Sequence, residues 1–311
     1  MLAALRAAYR AATRLPRRSL PVSMPATPSI AGAALWMLGA LGCFAAMAIG
    51  GRELSAELGT FQILFMRSVV GVLVLLALLL ATGGVRQVRT RRAGLHALRN
   101  LAHFGGQYGW FLGIALIPLA QVFAIEFTMP IWTLLLAMLF LGERATLARV
   151  AAVALGVAGV LLILRPGGEP ISLGAIAVLG GAFGYALAYV LTKRLVSTEA
   201  PIAIVFYMTV MQLPLGLVPA LADWHWPSAG LWPWVVVVGL TALGAHYCIS
   251  RAMALADAMV VVPMDFLRLP LIAIVGAIFY AEPLDPWVFA GAALMVAGNL
   301  VNLRAGQAVA R

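Results

Sequence analysis

Residues 151–165 read AAVALGVAGVLLILR and residues 290–304 read AGAALMVAGNLVNLR. Ala154-Leu155 and Val157-Ala158-Gly159 recur as Ala293-Leu294 and Val296-Ala297-Gly298, and Arg165 recurs as Arg304. The likeness runs outward without a gap. Sliding Leu101–Arg165 by 139 places onto Leu240–Arg304 leaves 18 of 65 positions identical, about three times what chance gives in a chain so rich in Ala and Leu. Gly105 falls on Gly244, Tyr108 on Tyr247, Phe127 on Phe266 and Glu143 on Glu282. Glu126 meets Asp265, so an acid stands at the same place inside two apolar segments. Duplicated hydrophobic halves that share a buried acid form the pattern of a secondary transporter.

The 311 residues are 63% hydrophobic and only 10% charged, with a mean hydropathy of +1.01. A soluble domain carries about 25% charged residues, so the solvent for this much apolar surface is lipid. The net charge of +10 comes from arginines that flank apolar runs, which is a topology signal rather than a nucleic-acid surface. Cys43 and Cys248 sit in separate apolar runs without metal-ligand spacing and read as small packing residues. No CxxC, HExxH, GxSxG or P-loop pattern occurs, so neither cofactor nor metal is expected and a nucleotide-driven pump is disfavoured. Residues 1–30 form a basic tail with Arg6, Arg10, Arg14, Arg17 and Arg18 and no acid, and Met24 is a second candidate start.

Runs of about 20 apolar residues cross a ~30 Å hydrocarbon core. Ten are expected, at 31–50, 60–82, 100–117, 120–141, 147–164, 173–192, 201–221, 232–254, 258–280 and 287–304. Their starts repeat too: Gly32-Ala33, Gly39-Ala40 and Gly42 recur 142 places on as Gly174-Ala175, Gly181-Ala182 and Gly184. Small residues seven apart share a helix face and let helices approach closely. The expected units are therefore a first five-helix repeat over 31–165 and a second over 173–304. Five is odd, so the second repeat enters the membrane upside down. With both termini cytoplasmic, the inner segments and span ends hold sixteen Lys and Arg, Arg99 and Arg194 among them, against Arg52 and Arg165 outside.

Ionisable groups at membrane depth are costly unless paired or hydrated, which makes each a functional candidate. Five stand within spans: Arg67, Glu126, Arg251, Asp265 and Arg268. Both acids lie ~10 Å deep at 1.5 Å per residue and bracket the midplane from opposite sides. Asp265 and Arg268 are three apart on one face, so they either neutralise each other or serve transport. Glu126 has no basic residue within its own helix and is expected to be the better proton carrier. His246 aligns with Gln107, beside the equivalent pair Tyr108 and Tyr247, so a polar aromatic belt on both halves is expected to line the substrate path. Pro130, Pro263 and Pro270 interrupt hydrogen bonding beside the acids.

These residues, with Phe127-Thr128-Met129-Pro130, Phe140-Leu141-Gly142-Glu143-Arg144, Phe279-Tyr280-Ala281-Glu282-Pro283 and Ala297-Gly298, resemble the EamA family of the drug/metabolite transporter superfamily. The resemblance covers about 31 to 304. It implies an all-α integral membrane fold of ten transmembrane helices as two inverted five-helix repeats. Spans one to four and six to nine would surround a central cavity, with spans five and ten peripheral. It also implies transport of small organic metabolites such as amino acids, often outward, across the inner membrane and without enzymatic activity. Glu143 and Glu282 match the family's glutamate after spans four and nine and read as helix-end structural residues. The implied partners are a small-molecule metabolite, the lipid bilayer, protons through a span-buried acid and a second copy in a homodimer. An intramembrane enzyme, a lipid-handling protein and a non-transporting scaffold are the competing readings; the first needs a nucleophile–base or metal constellation that the scattered single groups do not offer.

Overall fold

In a computed structural model, residues 30–129, 131–133, 135–136, 147–165, 171–195, 198–255 and 268–310 are described. Ten helices run through them: α1 Ile30–Leu54, α2 Thr60–Ala81, α3 Ala93–Leu116, α4 Leu119–Glu126, α5 Leu147–Leu164, α6 Leu173–Leu195, α7 Pro201–Ala220, α8 Trp232–Leu255, α9 Arg268–Tyr280 and α10 Pro286–Ala310. The protein is an all-α integral membrane protein, with no strand among the described residues. In lipid a helix satisfies every backbone polar group within its own segment, which is why so apolar a chain folds this way.

Stretches Ala31–Leu54, Thr60–Ala81, Leu173–Thr192, Ile202–Asp223 and Ala229–Ile249 are long and apolar enough to cross a bilayer on composition alone. Helix α3 is not, and it starts seven residues before the expected span at 100. Its first turns carry His96, Arg99 and Asn100, which read as flanking polarity in sequence. The fold buries all three. Arg99 Nε donates to Thr192 Oγ1 at 3.1 Å and Nη1 to Asn100 Oδ1 at 2.8 Å, while Asn100 Nδ2 donates to the Tyr207 carbonyl at 3.1 Å. Arg99, counted among the span-end arginines, therefore belongs to a buried polar cluster.

The principal contacts all join one half to the other: α1 with α8, α6 with α3, α2 with α7, α4 with α9 and α5 with α10. The repeat carries α1 onto α6 and α3 onto α8, so the pairing is two-fold symmetric. Close approach rests on small residues. The Cys43 thiol lies over Gly244 and the Cys248 thiol over Gly39, which seats α1 on α8. At the equivalent α3–α6 contact, a Cβ on Gly109 would overlap the Ala177 carbonyl, and one on Gly184 would come within 2.7 Å of the Ala102 carbonyl. Gly42 departs from the expected stripe and faces open space.

Loops sort to two ends of the bundle. Ser228 donates from N–H (2.9 Å) and Oγ (2.8 Å) to the Glu57 carboxylate, which holds that carboxyl below its usual range. Gln62 meets His225, and Arg165 meets Asp285, at the same end. At the other end Thr90 Oγ1 donates to Glu199 Oε1 at 2.8 Å. Helix α1 ends where α6 begins, so the repeats are inverted.

Candidate functional site

A cavity of about 60 Å³ lies where the halves meet, lined from α1, α2, α3, α4, α6, α8 and α9 and by Met129. Among the described residues, α5 and α10 contribute nothing to it. Its lining obeys the repeat. At the 139-place offset, His103 and Ala242, Gln107 and His246, Trp110 and Ile249, and Met129 and Arg268 all face it. At 142 places, so do Met47 and Tyr189. A cavity lined by equivalent pairs sits on the pseudo-two-fold axis, the place where inverted-repeat transporters bind cargo. A larger groove of about 700 Å³ between α2, α7 and α8 has no charged group on its lining, only apolar residues and Trp224, Trp226 and Trp232. It offers too few polar contacts to orient a ligand.

Glu126 closes α4 and points into the cavity. Arg268 Nη2 donates to Glu126 Oε1 at 3.3 Å, and Trp110 Nε1 donates to Oε2 at 2.9 Å. The ion pair is nearly dry, with side-chain exposures of 6% for Arg268 and 11% for Glu126. The Arg268 guanidinium also lies 4.6 Å from the Phe44 ring centre and 5.0 Å from that of Phe123, within cation–π range. Arg268 thus pairs with Glu126 of the other half, a cation that lies outside Glu126's own helix. Asp265, the expected partner of Arg268, lies outside the described residues, as do Pro130, Pro263 and Glu143.

Just past Glu126 the helix breaks. Phe127 N–H still reaches the Phe123 carbonyl at 3.2 Å, but Thr128 N–H turns to Ile125 at 3.0 Å. Regular bonding resumes with Ile131 and Trp132, both donating to the Thr128 carbonyl. The buried Thr128 hydroxyl has no hydrogen-bond partner among the described residues. Interrupted helices whose backbone lines a cavity are the usual way to place polar groups at membrane depth.

Arg67 enters from α2 and is 5% exposed. Its Nη2 donates to Gln212 Oε1 at 3.4 Å. With the Gln107 carboxamide oriented to satisfy its neighbours, Gln107 Oε1 accepts from Arg67 Nη1 at 2.7 Å and its Nε2 donates to Gln212 Oε1 at 2.8 Å. Gln212 Nε2 lies 3.1 Å from His103 Nδ1. Among the described residues the cation is thus cradled by amides, with no carboxylate at ion-pair distance.

Of the expected site residues, the fold gathers Arg67, Glu126, His246 and Arg268 around one cavity. It does not gather Tyr108 and Tyr247, which is a correction. Tyr108 stacks on Phe61 at 4.4 Å between ring centres, and Tyr247 is 54% exposed beside Trp36. One helical residue turns the side chain by about 100°, so the neighbours Gln107 and His246 face the cavity instead. Arg251 donates to the Tyr247 hydroxyl at 3.1 Å and lies over Trp36, away from the cavity. Arg67's neighbour Gln212 and the rings of Phe44, Trp110, Phe111, Tyr185 and Tyr189 went unmarked in the sequence. In a chain this apolar they look like packing residues. The signal that finds some of them is the repeat, since Met47 pairs with Tyr189 and Trp110 with Ile249.

Residues 31–165 and 172–304 match the EamA-like transporter family. The chain belongs to that family. It is a multi-pass membrane transporter of small molecules within the drug/metabolite transporter superfamily. It is 30% identical over 85% of its length to a riboflavin transporter of Vibrio cholerae, covering 90% of that protein. It is 25% identical to an S-adenosylmethionine uptake transporter of Rickettsia felis, over 85% of this chain and 90% of that one. It is 28% identical to the pseudopaline exporter CntI of Pseudomonas aeruginosa, over 79% and 86%. A solved crystal structure superposes with a TM-score of 0.63 at 21% identity, covering 89% of this chain and 98% of that one, which is a likeness of fold.

Proposed function

We propose that this EamA member carries a planar nitrogen-heteroaromatic metabolite, of the flavin class in the first instance, by alternating access at the Arg67–Glu126–Arg268 cavity. The observation that carries this reading is the composition of that cavity. Phe44, Trp110, Phe111, Tyr185 and Tyr189 offer ring faces, and Arg67 with Gln107, Gln212 and His103 offers a hydrogen-bonding edge. A fused heteroaromatic ring needs both. Riboflavin and S-adenosylmethionine, named in two of the relatives, each contain one. At about 60 Å³ the cavity holds a few waters and not a metabolite, so the described state is contracted and the cargo site opens in another state. The test is flux of riboflavin into proteoliposomes, followed by flavin fluorescence, with S-adenosylmethionine as competitor. Saturable, protein-dependent uptake is expected; no flux of either compound ends the heteroaromatic reading. Export is the second reading, and the relative named as an exporter favours it; loading the same vesicles with riboflavin measures efflux.

The placement we infer is the inner membrane with both termini cytoplasmic. Supporting it, Arg89, Arg91 and Arg92 collect at the end that holds Thr90 and Glu199, while Arg52 and Arg165 at the opposite end are each tied to an acid. In a Cys43→Ala/Cys248→Ala protein, Ser228→Cys is expected to react with an impermeant maleimide on intact cells and Thr82→Cys is not. The reverse pattern overturns the orientation and leaves the fold intact. Proton coupling through Glu126 would require the Arg268 pair to open.

A further inference from the structure

An arginine on the outer surface of a membrane helix is costly unless its charge reaches the headgroups. Arg251 is such a residue, exposed on α8 and four residues before that helix ends at Leu255, ~6 Å from the end at 1.5 Å per residue. Its guanidinium is held in place. It sits 5.1 Å from the ring centre of Trp36 on α1 and 5.9 Å from that of Tyr247, both within cation–π range. The two rings meet edge to face at 5.6 Å. Arg251 Nη1 donates to the Tyr247 hydroxyl at 3.1 Å, which leaves the phenol hydrogen free to donate in turn. Among the described residues no carboxylate lies at ion-pair distance from Arg251.

The repeat shows that the helix contact does not need these side chains. Helix α1 packs on α8 as α6 packs on α3. At that second seam Trp36 plus 142 is Val178 and Arg251 minus 139 is Leu112, both apolar. Tyr247 minus 139 is Tyr108, which turns away to stack on Phe61. The first seam is itself closed by buried Ala33, Met37 and Ala252, with Ile249 packed against them. The cation and the indole are thus additions to one seam only, at the end of the bundle that also carries Arg89, Arg91 and Arg92. We propose that Trp36, Tyr247 and Arg251 seat the phosphate of an anionic phospholipid of the phosphatidylglycerol class. The phosphate oxygens accept from the guanidinium and from the Tyr247 hydroxyl, while Trp36 takes the interfacial position that indoles favour. Leu35, Leu38 and Gly42 are exposed along one face of α1, with open space over Gly42, and give the acyl chains an apolar track. A zwitterionic lipid brings its own ammonium to its phosphate, so the anionic lipid is preferred. Trp36 belongs to one half and Arg251 to the other, so the bound lipid bridges the two.

The readout is lipid retention and needs no cargo. The purified full chain, stripped of lipid in detergent, is offered equal amounts of phosphatidylglycerol and phosphatidylcholine and weighed by native mass spectrometry. The parent is expected to keep one phosphatidylglycerol in preference. Arg251→Leu copies the residue at the equivalent place of the other seam, and is expected to lower that preference about fivefold. Arg251→Gln should match it, which keeps the test if the leucine variant folds poorly. Arg91→Gln removes an equal charge from the same end and should leave the preference intact. Excess inorganic phosphate should not displace the lipid. Equal falls in the Arg91 and Arg251 variants would show diffuse attraction to surface charge and overturn the proposal. So would parent-like retention in both Arg251 variants, and displacement by phosphate would assign the site to a soluble anion instead.

Discussion

Glu126→Ala is expected to produce the largest loss of stability of any single side-chain truncation in the cavity. It removes an acceptor of the Arg268 guanidinium and the acceptor of the Trp110 indole, two side chains that are only 6% and 2% exposed. Removing one partner of a buried ion pair costs about 3–5 kcal/mol, because the remaining charge stays desolvated. The double variant Glu126→Gln/Arg268→Met removes both charges and keeps the volume, so it should recover most of that loss while leaving transport dead. Melting of the purified protein, read by the size-exclusion profile after heating, separates the two outcomes. A Glu126→Ala protein that melts with the parent would show that Arg268 is held by something else and that the pair is incidental. Recovery of flux in the double variant would show that the charges serve only the fold.

That pair also marks where sequence reasoning stops. The spans and the repeat are legible because bilayer thickness and helix periodicity act locally, on about twenty residues at a time. A repeat shift likewise shows that Gln107 and His246 are equivalent, and both face the cavity. It does not show which side of α3 and α8 faces inward, and an aromatic pair one residue along, Tyr108 and Tyr247, looks equally suited. Sequence nearness offers Asp265 to Arg268, and the fold also brings Glu126 from 142 positions away. The burial of Arg99 is hidden for a related reason: its charge reads as a solvated span end, whereas α3 is wrapped by α6 and α7. Glu282 is visible as a repeated residue, but its partner Arg52 lies on another helix and required coordinates.

Arg67 breaks the symmetry of the site, as Arg268 opposite Met129 also does, and it differs from Arg268 in being held by amides. Its place in the second half is taken by Thr209, whose hydroxyl turns back to the Phe206 carbonyl at 2.9 Å. A two-fold cavity binds an asymmetric molecule in two orientations unless one group decides, and Arg67 is a fork of donors held by Gln107 and Gln212. Hydrogen bonds to a charged group are worth about 1.5–3 kcal/mol, so Arg67→Met is expected to raise the KM for riboflavin flux about ten- to hundredfold. Arg67→Lys keeps the charge but loses the planar fork, and should recover part of that loss at most. Protein abundance in the membrane is expected to hold, because the amides that face Arg67 also bond to each other and to His103. The measurement is a full concentration series for each variant, normalised to protein in the vesicles. A fall in kcat at constant KM would move Arg67 from recognition to the conformational step. A parent KM in Arg67→Met would take it out of the cargo site altogether.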